Sequence, residues 1–283
     1  MAVGIGADVV VAVLGAALLH AAWNAIAHGM SDRLAGFTLI ALSYTAICGV
    51  AVVFTGPPPA AAWPLILASA GVHVVYQVAL MLSYRLGQFS QVYPLARGTA
   101  PWVVTVLSYA VLQQGVSGWE LAGVLVISAG LTGLVFIGGR PTKRQLPALV
   151  AAFGTGLMIA TYTVIDGVGV HRTDVLTYAA WMFLLQGVAV ALLALAVRGR
   201  ALPSQLRATP VQGLAGGTLS LIAYGIVLWA QTRGALAPIA ALRETSIIFG
   251  ALIGAIFFRE SLGRGRTLAG AVVLAGIVLI NLP

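Results

Sequence analysis

Arg97 stands in Gln91-Val92-Tyr93-Pro94-Leu95-Ala96-Arg97-Gly98-Thr99, and Arg243 and Glu244 stand side by side in Ala237-Pro238-Ile239-Ala240-Ala241-Leu242-Arg243-Glu244-Thr245. Both lie within long apolar stretches of membrane-span length. An ionised side chain at a bilayer centre costs about 2.5–3.5 kcal/mol on insertion scales, so each one retained there is a functional candidate by default. Adjacent residues on a helix point about 100° apart, so Arg243 and Glu244 cannot pair in place; Glu244 could instead pair with Arg97 and lock the two segments together. A guanidinium left free would hold a carboxylate, phosphonate or phosphate through two parallel N–H bonds, which favours an anionic or zwitterionic ligand. A carboxylate left free in such surroundings could carry a proton.

Uncharged polar and aromatic residues recur at helical spacing. His20, Asn24 and His28 lie four apart with Trp23 beside them, and His73, Tyr76, Gln77 and Tyr84 form a second stripe. Tyr162 with Asp166, and Ser220 with Tyr224 and Gln231, form two more. Such faces avoid lipid and turn toward neighbouring helices or a watery cavity. The mixture of His, Asn, Gln and Tyr favours a cavity for His20, Trp23, Asn24, His73, Tyr76 and Gln77. Asp166, followed by Gly167 and Gly169, has two open readings: a partner for fraying backbone at the end of a span, or a proton carrier. The lone Cys48 has no neighbouring base, and no His-Glu-x-x-His or paired-aspartate spacing occurs, so no catalytic residue, metal or cofactor is expected.

The elements that must position these residues follow from composition. Lys and Arg number 15 and Asp and Glu 7, so charged residues are 8% of the 283, against about 25% in soluble domains. With 60% hydrophobic residues and a mean hydropathy of +1.01, the chain is neither a soluble globule nor disordered. Ten spans are expected, near 6–28, 34–55, 64–84, 91–113, 119–138, 146–169, 174–197, 211–232, 237–258 and 265–282. Together they leave no room for a soluble domain. The opening Met1 to Asp8 has no Lys or Arg, so no cleavable signal is expected. Of the 15 basic residues, 11 fall in the odd-numbered loops, and only Arg172 and Arg233 fall in the even-numbered loops and ends. This asymmetry places the odd loops in the cytoplasm and both termini outside, in the inner (plasma) membrane. Trp63, Trp119 and Trp229 then line the outer face. The dispersed basic residues suit anionic lipids and not nucleic acid.

The chain also repeats itself. An offset of 146 superposes Arg97 on Arg243; after a one-residue slip Leu121-Ala122-Gly123 matches Leu268-Ala269-Gly270, and at an offset of 139 Trp23 matches Tyr162. The expected architecture is therefore an all-α membrane protein of two five-helix repeats, 1–140 and 141–283. An odd number of spans per repeat inserts the second copy upside down, as in secondary transporters. Pro94 and Pro101 should kink the fourth span, whereas its counterpart has only Pro238 at its start. Close helix contacts are expected at Gly213 with Gly217, Gly130 with Gly133, and Gly250 with Gly254.

With these features the chain resembles the EamA type of the drug/metabolite transporter superfamily. The resemblance is carried by His20-Ala21-Ala22-Trp23-Asn24, Tyr93-Pro94-Leu95-Ala96-Arg97-Gly98, Tyr162 to Gly169, Leu242-Arg243-Glu244-Thr245 and Phe258-Arg259-Glu260. The resemblance implies ten helices and movement of small metabolites, amino acids or drugs from a central cavity, often in exchange for protons. Such families commonly end the fourth helix of each repeat with Glu; here Glu260 has Gln114 as its counterpart. The charge count also opposes the cytoplasmic termini common among relatives. The expected function is a secondary transporter, not an enzyme, that exports a small polar or amphipathic metabolite with proton coupling, as monomer or homodimer. Substrate would be held by His20, Trp23, Asn24, His73, Tyr76, Gln77, Tyr93, Arg97, Tyr162, Tyr224 and Arg243, with Glu244 and Asp166 handling protons. A lipid or lipid-linked sugar flippase and an intramembrane enzyme are the alternatives.

Overall fold

The computed structural model describes residues 6–87, 89–136, 141–257 and 263–282. Phe258, Arg259 and Glu260, singled out above, and Arg140 lie outside the described residues. Among the described residues the chain is helical, with no strand. The helices are α1 (Ala7–His28), α2 (Arg33–Thr55), α3 (Trp63–Leu86), α4 (Phe89–Leu112), α5 (Gly118–Gly133), α6 (Leu146–Gly169), α7 (Val175–Arg198), α8 (Leu202–Leu206), α9 (Pro210–Gln231), α10 (Leu236–Leu242), α11 (Ser246–Phe257) and α12 (Arg264–Ile280). Nine stretches among the described residues are long and apolar enough to cross a membrane, counting α10 and α11 as one, and α12 supplies a shorter apolar helix. The small α8, in the loop carrying Arg200 and Arg207, is an element that the sequence reading did not anticipate.

Local chemistry fixes the helix ends. Asp32 accepts the Ala35 N–H at 3.1 Å to cap α2, and its other oxygen meets Arg198 at the end of α7, also at 3.1 Å. Ser117 and Glu120 form a reciprocal capping box on α5, and Asp174 caps α7 through the Thr177 N–H. Pro64, Pro147 and Pro210 sit in first turns, where a missing N–H is harmless.

The helices pack α3 on α6, α1 on α9, α2 on α7, α4 on α6, α5 on α12 and α1 on α11. Their outer faces are apolar and open: Val53, Phe54, Val211 and Phe257 are each more than 70% exposed, as a lipid-facing surface requires. Small residues bring helices together, though not at every expected place. A Cβ at Gly217 would lie 2.6 Å from the Ile40 carbonyl oxygen of α2, and one at Gly123 would lie 2.5 Å from the Gly276 carbonyl oxygen of α12. Gly133 and Gly250, by contrast, face open space, so they set no helix contact.

The two prolines of α4 do not break it: the helix runs unbroken from Phe89 to Leu112. The interruption falls instead in its counterpart, where Arg243–Thr245 tighten into a 3-10 turn between α10 and α11. That turn redirects carbonyl groups and lets consecutive side chains diverge. Gly217→Val is expected to lower the thermal midpoint of the purified protein, since overpacking of this kind costs about 1–3 kcal/mol. Gly250→Val should leave the midpoint unchanged, and equal effects of the two would refute the assigned α2–α9 contact.

Candidate central cavity

Arg97 and Glu244 meet at the centre of the molecule. Arg97 Nε lies 2.9 Å from Glu244 Oε2, with both side chains buried. The separation is that of an ion pair, although the Nε–H is not directed at the oxygen, so the attraction is coulombic and not a hydrogen bond. Arg97 Nη2 donates to the Ser246 hydroxyl at 2.7 Å and to the Arg243 carbonyl oxygen at 3.2 Å. The first carbonyl of the 3-10 turn thereby gains a second donor from the opposite segment. Tyr93 lies next to this group, beside Arg97 and Ser246.

Arg243 turns away from its neighbour. Its guanidinium lies 5.5 Å from the centroid of the Tyr224 ring, a cation–π contact, and it lines a cavity. Among the described residues no carboxylate lies within ion-pair distance of it. The cavity holds about 610 Å³ of empty space, its open mouth included. His20, Trp23, His73, Tyr76, Gln77, Tyr162, Tyr224 and Arg243, all expected in the site, line it. A smaller adjoining space of about 230 Å³ is bordered by His20, Arg97, Tyr224 and Arg243.

The aromatic wall is built by stacking. His73 stacks on Tyr162 at 3.9 Å between centroids, and Tyr76 and Tyr224 meet that ring edge to face. His73 Nδ1 lies 2.9 Å from the Ser69 carbonyl oxygen, which can only accept; a neutral ring therefore keeps Nε2 as an acceptor. Trp23 Nε1 donates to His20 Nδ1 at 3.2 Å, which orients the imidazole from within its own helix.

Of the three expected ligands outside the cavity lining, Arg97 borders the adjoining space and the other two lie apart from both. Asn24 donates its amide to the His20 carbonyl oxygen at 2.8 Å, so it bonds to its own helix. Tyr93 belongs to the Arg97 group instead. Asp166 also lies outside the lining, but it is not a partner for fraying backbone. It is fully buried, and its oxygens accept from the Tyr178 hydroxyl at 2.8 Å and, through a short bond, from the Tyr224 hydroxyl. Gln114, where the resemblance called for Glu, accepts from the Leu236 N–H at 3.4 Å and so meets the start of α10.

The sequence reading missed Phe37, Tyr44, Phe183 and Gln186 in the lining, and Tyr178 behind it. Tyr178, Met182 and Gln186 lie four apart on α7, and a polar residue at that spacing inside a Leu/Ala-rich span was the available signal.

The lining residues Trp23, Phe37, Ile40 and Gln77 lie in the halves of α1–α3 nearest the Arg33 and Arg85 loops. At the opposite end Trp181 Nε1 donates to the Gly56 carbonyl oxygen at 2.8 Å and packs edge-on against Trp63. Glu244→Gln should lower stability by about 3–5 kcal/mol, because it leaves the buried Arg97 charge uncompensated. The double variant Arg97→Met/Glu244→Leu should recover much of that loss in chemical denaturation. A double variant less stable than the single one would contradict this account of the pair.

Residues 146–282 match the EamA-like transporter family. No curated protein sequence matches the chain. A solved structure, titled only as the crystal structure of a protein, shares the fold with a TM-score of 0.77 at 16% identity, covering 97% of this chain and 98% of that one. Over residues 146–282, then, the chain matches the EamA-like transporter family of the drug/metabolite transporter superfamily, and its apolar helices of membrane-span length make it a multi-pass membrane protein.

Proposed function

We propose that the protein is a secondary transporter that exports a small anionic or zwitterionic metabolite by alternating access about the central cavity. The observation that carries this reading is Arg243: a buried guanidinium, without a carboxylate partner among the described residues, that lines an aromatic and polar cavity. Such a group matches a carboxylate, phosphonate or phosphate, while Trp23, Phe37, Tyr76 and Phe183 offer surface for an apolar body.

Alternating access needs two bodies that rock against each other, and the repeats 1–140 and 141–283 are assigned that role. The packing pattern supports an inverted exchange of the two. If α1 to α5 correspond to α6, α7, α9, α10 with α11, and α12, then α3 on α6 exchanges with α9 on α1. In the same way α4 on α6 exchanges with α11 on α1, while α2 on α7 and α5 on α12 map onto themselves. The tie between Gly56 and Trp181 supports a state closed at that end and open toward the basic loops. We place the basic loops in the cytoplasm of the inner membrane, with anionic lipid headgroups against them.

Protein reconstituted in vesicles should show saturable counterflow of at least one member of a panel of amino acids, carboxylates and phosphonates. Arg243→Gln should weaken apparent affinity roughly 10–100-fold, the worth of a charge-assisted contact of about 1.5–3 kcal/mol. Flux absent across the panel, or unchanged in Arg243→Gln, would refute the assignment. A reporter fused after Pro283 should be active only when it works outside the cytoplasm; cytoplasmic activity would reverse the orientation.

A further inference from the structure

Asp166 is buried in a way that Glu244 is not. Glu244 faces the Arg97 cation, whereas Asp166 is satisfied by two neutral hydroxyls, Tyr178 from α7 and Tyr224 from α9, with no cation within ion-pair distance among the described residues. The other titratable groups turned toward it are His73 from α3 and Tyr162 on its own helix, with Arg243 beyond the Tyr224 ring. Leu236 of α10 closes the remaining side against Gly167. A wholly buried carboxylate without a counter-ion is costly in its ionised form, and two hydroxyl donors offset only part of that cost.

The two tyrosines are not equivalent. Tyr178 is fully buried, and a Cβ at Gly169 would overlap its ring, so it is held in place. Tyr224 is only partly buried; one side of it lines the cavity, its ring face carries Arg243, and its hydroxyl reaches back to Asp166. A carboxylate only accepts hydrogen bonds, and a carboxylic acid donates one. A proton bound at Asp166 removes the negative charge that draws both hydroxyls and makes the protonated oxygen a poorer acceptor, so the tyrosines are held less strongly. Of the two, only Tyr224 borders the cavity and has space to turn.

We propose that Asp166 is the proton-binding site of the transporter, and that its proton decides whether the Tyr224 hydroxyl is held at Asp166 or released into the cavity beside Arg243. The inference rests on the transport reading for its purpose, but not for its chemistry. Protonation removes a negative charge near the anion site and supplies it with one more donor. Both effects have the same sign, so proton and anion bind together, and an accumulated metabolite leaves with a proton.

Infrared difference spectroscopy of the full chain in vesicles, titrated over the pH range in which it stays folded, tests this without a ligand. A carboxylic-acid C=O band should grow as pH falls and vanish in Asp166→Asn. A tyrosine C–O mode should change with the same midpoint, be lost in Tyr224→Phe and persist in Tyr178→Phe. The absence of an Asp166-dependent band, or a tyrosine change that survives Tyr224→Phe, would overturn the proposal. Arg243→Gln should keep both signals, so a failure of anion binding in that variant is separable from a failure here.

Discussion

The ion pair between Arg97 and Glu244 is the constraint on which the interior is built. Two segments 146 residues apart each bring a charge into a place where it could not stand alone, and each makes the other tolerable. Arg97 Nη2 also donates to the Arg243 carbonyl oxygen and the Ser246 hydroxyl. One side chain thereby compensates a carboxylate and ties down the backbone of an interrupted helix. The Arg243 carbonyl, which accepts the Ser246 N–H within the 3-10 turn, gains a second, buried donor there.

That turn decides where Arg243 points. In the interrupted geometry Glu244 goes to Arg97 and Arg243 goes to the Tyr224 ring and the cavity. The placing of Arg243 in the cavity is therefore a consequence of the pair next to it. The rest of its wall is arranged without charge, by the stack of His73 on Tyr162 and the edge contacts of Tyr76 and Tyr224. Rings packed edge to face resist collapse better than flexible aliphatic side chains, which suits a space that must persist between occupants.

Much of this was readable from the residue types. Spans emerge from continuous apolar runs, and the rare charges within them name the centre, because a membrane interior makes every ionised residue conspicuous. Eight of the eleven expected ligands line the cavity, most of them picked out as polar and aromatic residues at helical spacing that avoid lipid. Asn24 misled because an amide four residues from a carbonyl on its own helix can bond locally, and spacing alone does not distinguish that from facing a cavity. Phe37, Tyr44 and Phe183 were invisible because an aromatic residue in an apolar span carries no sign of whether it meets lipid or substrate. The 3-10 turn at Arg243 was not foreseen, because the side chain that meets its carbonyl lies 146 residues away, where no local pattern reveals it.

Glu244 and Asp166, both expected to handle protons, meet different partners. A proton added to Glu244 would strip Arg97 of its counter-charge and leave a buried cation. A proton added to Asp166 removes an uncompensated charge and disturbs only a hydroxyl, and that hydroxyl belongs to the residue whose ring supports Arg243. Charge balance thus gives the two carboxylates different surroundings, and it is on this difference that the proposed role of Asp166 rests. The difference lies in the partner each has found, a cation for Glu244 and two tyrosines for Asp166.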